Sequence, residues 1–540
     1  MVIGGTRMSR KTWILTAAVV GSGIVFLDST VVNVALPQIG KDLPSTRLGV
    51  LEGQSYVYYG YLLSLSALLI LAGGLADFYG RRRLFLIGMV GFGVTSVMCG
   101  LAPNLELLVV ARVLQGAAGA ILVPGSLAIL TASFEGEEQG RAFGVWAGAS
   151  ALTTILGPAV GGALVASVTW RAAFLINVPL VLVGIWASLR HLPESRDEHA
   201  SGHFHWFGAL AVAVAVGGLT LGAIRGQAES WSGPFPFIAL ALGGVTAAAL
   251  PIIMMRARNP LIPPQLFRSR NFTITNISTL VVYGALYVMG QFLALFAIGT
   301  LEYNELGFGL ATIPGSLALA AFSTKFGALA ARHGPRLYMA AGPAVMGLGL
   351  LWLVRIPSTS EGWAVTLSDA GSYVPPTDYL IDVLPAQIVF GIGLMIMVAP
   401  LTTALMRSVP VDNSGVASAV NNAISRVGPQ LVGALLFIAI SATFTSALGG
   451  LAPDAGSKMS EISPLNQPPA DSSPELAAAV LDASTDAFRL AMLVSALLCF
   501  AGAAVNAAGI SNQAFMHNEP SEEPLSPPLP GATSGSPANA

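Results

Sequence analysis

Gly73-Gly-Leu-Ala-Asp-Phe-Tyr-Gly80-Arg-Arg82 and Gly327-Ala-Leu-Ala-Ala-Arg-His-Gly334-Pro-Arg336 are two similar segments, 254 positions apart in one chain. A second pair, Gly157-Pro-Ala-Val-Gly-Gly-Ala-Leu164 and Gly428-Pro-Gln-Leu-Val-Gly-Ala-Leu435, repeats at a spacing of 271. The first pair falls in loops between apolar helices and the second lies within helices, and both pairs match when the helix count is shifted by eight. The sequence therefore predicts two similar halves, an arrangement typical of secondary transporters that rock around a central site.

The composition indicates that the surface faces lipid. Of the 540 residues, 54% are hydrophobic and 10% are charged, and the mean hydropathy is +0.70. A soluble domain carries about 25% charged residues. The net charge of −2 gives no basic surface, so we expect no nucleic-acid partner. The two cysteines lie in apolar stretches, where they are expected to pack as small hydrophobic residues.

Apolar stretches long enough to cross a bilayer predict fourteen spanning helices. With the N-terminus inside, 17 of the 26 Lys and Arg residues fall in cytoplasmic segments and six in external ones. This bias predicts an all-α integral membrane protein with both termini in the cytoplasm. The predicted helices lie near residues 13–36, 52–74, 84–102, 105–131, 142–166, 172–189, 206–224, 235–255, 272–299, 308–331, 337–354, 383–406, 414–446 and 487–509.

The repeat and the helix count together predict the domain organisation. Two six-helix bundles are separated by two extra linker helices. Residues 511–540 are rich in Pro, Ser and Gly, which predicts disorder. The predicted units are a cytoplasmic N-terminus (1–12), an N-terminal bundle (13–190), the linker helices (191–271), a C-terminal bundle (272–510) with extracellular loops 356–382 and 447–486, and a cytoplasmic tail (511–540).

A carboxylate inside the first helix is the strongest indication of a functional site. Asp28 lies about 22 Å from the cytoplasmic face, and Arg112 and Arg426 fall at a similar depth on other helices. A charge at this depth costs a few kcal/mol and usually serves a function. We expect Arg112 to face Asp28 and to control its affinity for protons, because a nearby cation favours the ionised acid. A static ion pair that joins two helices is the alternative.

Several segments resemble the major facilitator superfamily, specifically its fourteen-helix drug:proton antiporters. Leu27-Asp-Ser-Thr-Val-Val-Asn-Val-Ala-Leu-Pro37 is similar to that family's first-helix signature, and residues 74–83 resemble the superfamily's loop motif. Arg112-Val-Leu-Gln-Gly116 resembles the fourth-helix motif, residues 157–162 resemble the antiporter motif, and residues 170–179 resemble the sixth-helix pattern. The resemblance covers nearly all of residues 10–510. It implies a major facilitator fold and export. The second loop motif departs from the first, with Ala331 in the position of Asp77.

The resemblance also places a latch at the cytoplasmic side. It puts Asp77 near the start of the thirteenth helix, around Ser414-Gly415, where the helix dipole favours a carboxylate by about 0.3–1 kcal/mol. Gly80, Arg81 and Arg82 complete the candidate latch, although the arginines equally suit a role as topology markers. Small residues and a proline in the fifth helix, Gly157, Pro158, Gly161 and Gly162, suit either an outer gate or tight helix packing.

Aromatic and amide residues on two helices are candidates for a substrate cavity, because aromatic rings attract organic cations. The candidates are Tyr58, Tyr61, Tyr283, Tyr287 and Gln291, with Arg426 as a further polar group. An aromatic belt at the membrane interface is the alternative for Tyr58 and Tyr61, and carbonyl binding is the alternative for Arg426.

These features predict a monomeric, multi-pass transporter of the cell membrane rather than an enzyme. We expect it to export amphipathic or cationic small molecules in exchange for protons. The alternatives are a transporter of one specific metabolite with the same fold and a membrane scaffold that transports nothing. No cofactor or metal is expected. The chain has no Gly-x-x-x-x-Gly-Lys-Ser/Thr loop, which excludes an ATP site of that kind.

Overall fold

The computed structural model of the chain describes residues 9–44, 50–196, 204–228, 231, 233–366, 368–451, 462, 464–468 and 472–512. Within these ranges the protein is helical and has no β-strand. The α-helices are α1 Arg10–Asp42, α2 Val50–Tyr79, α3 Arg81–Gly100, α4 Leu105–Ser133, α5 Gly136–Ser167, α6 Ala172–Leu175, α7 Asn177–His191, α8 Trp206–Ala228, α9 Phe235–Arg256, α10 Arg270–Gly299, α11 Glu305–His333, α12 Arg336–Leu353, α13 Leu384–Arg407, α14 Ser414–Leu451 and α15 Pro474–Gly509.

The apolar sequence dictates helices because lipid offers no partners for backbone polar groups, so each segment must satisfy its own. Thirteen spans in the described residues are long and apolar enough to cross a membrane, with α6 and α7 forming one of them. The 32-residue α5 runs among them. Side chains also cap helix starts: Ser9, Asn104 and Asn304 each accept a hydrogen bond from the backbone of the first turn.

The spans form two bundles and a hairpin. Helices α1–α7 pack on one another, and α10–α15 pack on one another around a separate apolar core. The largest core of the first bundle extends to buried residues of α8, α9, α13 and α14. The bundles meet along two seams, one between α2 and α14 and the other between α5 and α11. Helices α8 and α9 form a hairpin, and α8 lies against both α2 and α14. The predicted fold of two six-helix bundles with two linker helices is thus confirmed.

One end of the molecule, which we call the termini face, holds both described chain ends. There the Arg10 Nε donates to the carbonyl of His191 at the end of α7, at 3.1 Å. In the second bundle, the Arg270 Nε donates to the carbonyl of Gly509 at 2.7 Å. Assignment of this face to the cytoplasm stays a prediction.

Predicted helix boundaries differ from the structure by several residues at many ends, and the largest differences fall in two places. The sixth span is interrupted at Ile176, between α6 and α7. Pro179 lacks the N–H that would continue the hydrogen bonding of α6. The predicted loop 447–486 is wrong at both ends, since α14 continues to Leu451 and α15 begins at Pro474, capped by Ser473. Most of the predicted tail and N-terminal segment, residues 513–540 and 1–8, lies outside the described residues.

Candidate functional site

Asp28 and Arg112 form an ion pair in the middle of the first bundle. The Arg112 Nη1 lies 2.5 Å from the Asp28 Oδ2, and neither side chain is exposed. A second guanidinium nitrogen, Nε, donates to the carbonyl of Val57 on α2 at 3.2 Å. The structure thus brings together the two charges that the sequence placed at similar depth on α1 and α4.

Two amide side chains complete the environment of the Asp28 carboxylate. The Gln115 Nε2 donates to Oδ1 at 3.0 Å, and the Asn177 Nδ2 donates to the same oxygen at 2.9 Å. Both amides also donate to the Ser96 Oγ, at 2.8 and 3.3 Å. The Gln115 Oε1 accepts from the Arg112 Nη1 at 2.7 Å. Four helices, α1, α3, α4 and α7, therefore converge on one carboxylate.

Aromatic rings cover the arginine. The guanidinium carbon of Arg112 lies 4.0 Å from the ring centroid of Tyr61 and 5.7 Å from that of Phe174. The Tyr61 hydroxyl donates to the carbonyl of Val25 at 3.0 Å, and its side chain is fully buried. Tyr61 therefore packs at the Asp28–Arg112 site in the structure, and its role in lining a substrate cavity stays a prediction.

Asp77 lies at the α2–α14 seam on the termini face. Its Oδ2 accepts from the backbone N–H of Val416 at 2.9 Å, and its Oδ1 accepts from that of Gly415 at 3.2 Å. A β-carbon on Gly415 would lie 2.6 Å from Oδ1, so glycine is required for this approach. Asp77 thus occupies the predicted position at the start of α14.

Arg81 joins the same contact from α3. Its Nε and Nη2 donate to the Asp77 Oδ1 at 3.0 and 2.9 Å, and Nη2 also reaches the carbonyls of Val411 and Asp412, at 2.5 and 3.2 Å. Both Asp77 and Arg81 are buried. One carboxylate and one guanidinium of the first bundle therefore hold the segment that leads into α14.

Gly80 and Arg82 serve the first bundle alone. Gly80 has a φ of +111°, which favours glycine, and a β-carbon there would lie 2.7 Å from the Glu194 Oε1. The Arg82 Nη2 donates to the carbonyl of Leu189 at 2.8 Å, and its backbone N–H donates to Glu194 at 3.1 Å. Arg82 therefore binds the end of α7, so its predicted place in the contact with α14 is corrected.

The α5–α11 seam has no carboxylate in the position of Asp77. Instead, Arg407 at the end of α13 donates to the carbonyl of Gly136 at 2.6 Å and to that of Ala331 at 3.1 Å. The Arg407 Nε also donates to the Gln139 Oε1 at 3.2 Å. The two seams are therefore joined on the termini face by different chemistry, consistent with Ala331 standing in the position of Asp77.

The glycines of the α5 motif pack against α1, close to Asp28. A β-carbon on Gly161 would lie 2.9 Å from the carbonyl oxygen of Val31, and one on Gly157 would collide with the side chain of Thr30. On Gly162 the nearest atom would be a methyl carbon of Val34 at 3.9 Å. The side chain of Pro158 lies outside the description. These contacts are tight helix packing, and the gate stays a prediction.

We expect Gly161→Val to destabilise the protein by about 1–3 kcal/mol, because the added atoms meet the backbone of α1. Thermal unfolding of the purified protein in detergent measures the effect. Gly162→Val is the matched control, since it adds the same side chain one residue away with room to spare. Equal melting temperatures for the two variants would show that α5 does not depend on this contact.

The remaining cavity candidates lie on helices of both bundles. Tyr58 on α2 lies within electrostatic range of Arg112, Arg426 and Tyr287. Tyr283 and Tyr287 on α10 have ring centroids 6.3 Å apart, and the Tyr287 side chain is 55% exposed. Gln291 is also exposed. Tyr58 of the first bundle therefore lies within electrostatic range of Tyr287 and Arg426 of the second bundle, and their place in a substrate cavity stays a prediction.

No group of three or more His, Cys, Asp or Glu side chains in the described part of the chain is placed to hold a metal ion. The site therefore offers a buried carboxylate that is paired with one arginine and held in orientation by two amides.

Comparison with known proteins identifies the family. Residues 18–434 match the Major Facilitator Superfamily, so the chain belongs to that superfamily and is a multi-pass membrane protein. It is 32% identical over 451 residues to the multidrug resistance protein Stp of Mycobacterium tuberculosis, covering 82% of this chain and 80% of Stp. It is 32% identical over 437 residues to the puromycin resistance protein pur8 of Streptomyces alboniger, covering 79% and 81%.

Solved structures agree on the fold. The human organic anion transporter MFSD10 superposes with a TM-score of 0.56 at 13% identity, covering 91% of this chain and all of that one. The proton:xylose symporter XylE superposes with a TM-score of 0.53 at 13% identity, covering 92% and 94%.

The sequence analysis did not select three residues of the site: Ser96, Gln115 and Asn177. Gln115 and Asn177 are amides in apolar helices, inside segments already recognised as motifs, so their polarity was a usable signal. Ser96 carried none, because a serine in a membrane helix commonly bonds its own backbone.

Proposed function

We propose that the protein exports amphipathic, cationic small molecules across the cell membrane in exchange for protons. One observation carries the proposal: a wholly buried carboxylate, Asp28, is paired with Arg112 inside a membrane-spanning bundle. An ionisable group at that depth is costly, and such groups typically form proton relays or ion pathways in transporters. The names of the relatives, a multidrug resistance protein and a puromycin resistance protein, support export of drugs.

Exchange follows from competition for one carboxylate. The ionised Asp28 accepts hydrogen bonds from Arg112, Gln115 and Asn177, whereas a protonated Asp28 loses the attraction of the Arg112 guanidinium. A cationic substrate favours the ionised carboxylate, and a proton removes its charge. Each time the site crosses from one side of the membrane to the other, it carries either a proton or a cationic substrate. This links the inward movement of protons to the outward movement of cations.

The contacts of the termini face provide the conformational step. Asp77 and Arg81 close the α2–α14 seam, and Arg407 closes the α5–α11 seam, so the described state is closed at that face. We propose that this face is cytoplasmic and that the bundles, residues 13–190 and 272–510, rock about Asp28 when these contacts break. The aromatic candidates between the bundles would receive the flat part of the substrate.

A transporter of one specific metabolite is the second candidate. It is favoured by Arg426, whose Nε is buried and has no hydrogen-bond partner in the structure. A guanidinium with a buried, unpartnered Nε in the second bundle suits an anionic group on a substrate. Arg426 is a single positive charge, whereas Asp28 on α1 offers a carboxylate that suits a cation. The metabolite transporter is therefore the weaker of the two proposals.

Transport by the native protein tests the function. Purified protein is placed in liposomes with an acidic interior that contain a pH-sensitive dye, and a fluorescent organic cation is added outside. We expect the cation to accumulate while the interior becomes alkaline over the same time course. A neutral analogue of the cation controls for leakage. Cation uptake driven by membrane potential alone, with no proton movement, would contradict exchange. No uptake of any cation would favour the metabolite transporter.

A further inference from the structure

Asn177 differs from the other polar groups around Asp28 because one of its atoms has no partner. Its Nδ2 donates to Asp28 and Ser96, but its Oδ1 is buried and accepts no hydrogen bond. Asn177 is the first residue of α7 and is fully buried. A buried amide oxygen without a donor is costly, so this atom requires an explanation.

Gln115 does not share this property. Its Oε1 accepts from the Arg112 Nη1 at 2.7 Å and from the Cys99 Sγ at 3.4 Å, while its Nε2 serves Asp28 and Ser96. Rotation of the Gln115 amide would therefore break contacts at both of its ends. Rotation of the Asn177 amide, in contrast, would break no hydrogen bond of its oxygen, because Oδ1 has none.

Protonation of Asp28 changes what its neighbours must provide. An ionised carboxylate only accepts hydrogen bonds, whereas a protonated one carries an O–H that needs an acceptor. The Gln115 oxygen already accepts from two donors, and the Ser96 Oγ already accepts from both amides. Among these side chains, the Asn177 Oδ1 is the acceptor that remains unused.

We propose that Asn177 is a positioning residue that serves both protonation states of Asp28. In the ionised state its Nδ2 donates to the carboxylate, as in the structure. When Asp28 takes up a proton, the Asn177 amide rotates about its last side-chain bond and Oδ1 accepts from the new O–H. This inference rests on the proposed proton exchange and adds a residue that stabilises the loaded state.

The other titratable groups around Asp28 do not supply that acceptor. Arg112 faces it from α4, Tyr61 from α2 and Cys99 from α3. Arg112 is a donor only. The Tyr61 hydroxyl is held by the carbonyl of Val25 and the Cys99 Sγ by the Gln115 Oε1, whereas Asn177 already contacts the carboxylate. On α5, Thr153 and the motif glycines pack against α1, and none of them is titratable, while α6 contributes Phe174. Arg171, before α6, donates to the carbonyls of Gly100 and Ala102.

The test uses infrared spectroscopy of the full-length protein in lipid, recorded as a difference between acidic and alkaline pH. The C=O band of protonated Asp28 is assigned by its loss in Asp28→Asn. We expect Asn177→Leu, which removes both donor and acceptor at similar size, to shift this band. We also expect its pH midpoint to rise by about one unit, because the bond lost by the charged form is the stronger one.

Asn506→Leu is the matched control. Asn506 is a fully buried asparagine of α15 whose Oδ1 also lacks a partner. Its Nδ2 donates to the Ser278 Oγ and to the carbonyl of Met339, both at 2.8 Å, and among the described residues it bonds to no carboxylate. It should leave the Asp28 band in place. Asn177→Ser, which keeps a hydroxyl able to donate and accept, should return the midpoint towards the native value.

Each outcome is decisive. A band that Asn177→Leu leaves unshifted, even with a changed midpoint, overturns the role of Asn177 as acceptor, because the proton then points elsewhere. An unchanged band and midpoint make Asn177 purely structural. If Asp28→Asn removes no band at any pH, Asp28 takes up no proton, and the proposed exchange fails before the inference about Asn177.

Discussion

In everted membrane vesicles, Asp28→Asn is expected to reduce proton-driven uptake of a fluorescent cation to the level of vesicles without the protein. The amide has nearly the shape of the carboxyl group but cannot carry a proton in exchange for a cation. Arg112 then loses its ionic partner while it remains buried, so some loss of stability is also expected. Folding is checked by size-exclusion elution, and binding of the cation is checked by fluorescence polarisation.

Asp42→Asn is the matched control for this variant. It makes the same chemical change on the same helix, at a solvent-exposed aspartate that accepts a hydrogen bond from Gln38. It should transport like the native protein. If Asp28→Asn folds, binds the cation and still couples uptake to protons, the ion pair with Arg112 is a static connection between α1 and α4.

The second large effect is expected at the termini face. Asp77→Asn replaces a carboxylate that accepts from Arg81 and from two backbone N–H groups of α14. Breaking a buried ion pair by removing one partner costs about 3–5 kcal/mol. Because this contact joins the two bundles, most of that free energy should be lost from the closed state and not from the open one. The population of the closed state relative to the open one should therefore fall by roughly a hundredfold.

Spin labels measure that population. Labels at Arg83→Cys and Leu337→Cys report the distance between the bundles, since both side chains are highly exposed on the termini face, and Cys99 and Cys499 are replaced by alanine. Asp77→Asn should add a longer distance in the resting protein. Glu137→Gln is the control, because its partly exposed carboxylate joins Arg332 across the other seam. Identical distance distributions in both variants would remove Asp77 from the closing mechanism.

Most of the fold followed from the sequence because membrane helices have strong, simple signals. Apolar length located the spans, and the repeated loop and glycine motifs showed that there were two bundles. The errors occurred where composition was uninformative. The ends of α14 and α15 carry Ala, Ser and Asp, which suit a helix above the membrane as well as a loop. The break at Ile176 depends on the local geometry around Pro179.

The candidate site was predicted in part. Charge at membrane depth was enough to pair Asp28 with Arg112, since a buried charge needs a partner. The amides were missed because their effect depends on direction, which sequence does not give. Arg82 was misplaced for the same reason: it sits beside Arg81, but its side chain points to the end of α7. Adjacent residues at the start of a helix point in different directions and so contact different partners.

The α8–α9 hairpin makes the surroundings of the two seams unequal. Its helix α8 packs along α2 and α14, and among the described residues it makes no comparable contact with α5 or α11. Changes in bilayer thickness or lateral pressure therefore act on one seam through a protein neighbour and on the other directly. Lipid composition should therefore affect the α5–α11 seam more directly than the α2–α14 seam. Reconstitution in short-chain and long-chain lipids would reveal this difference.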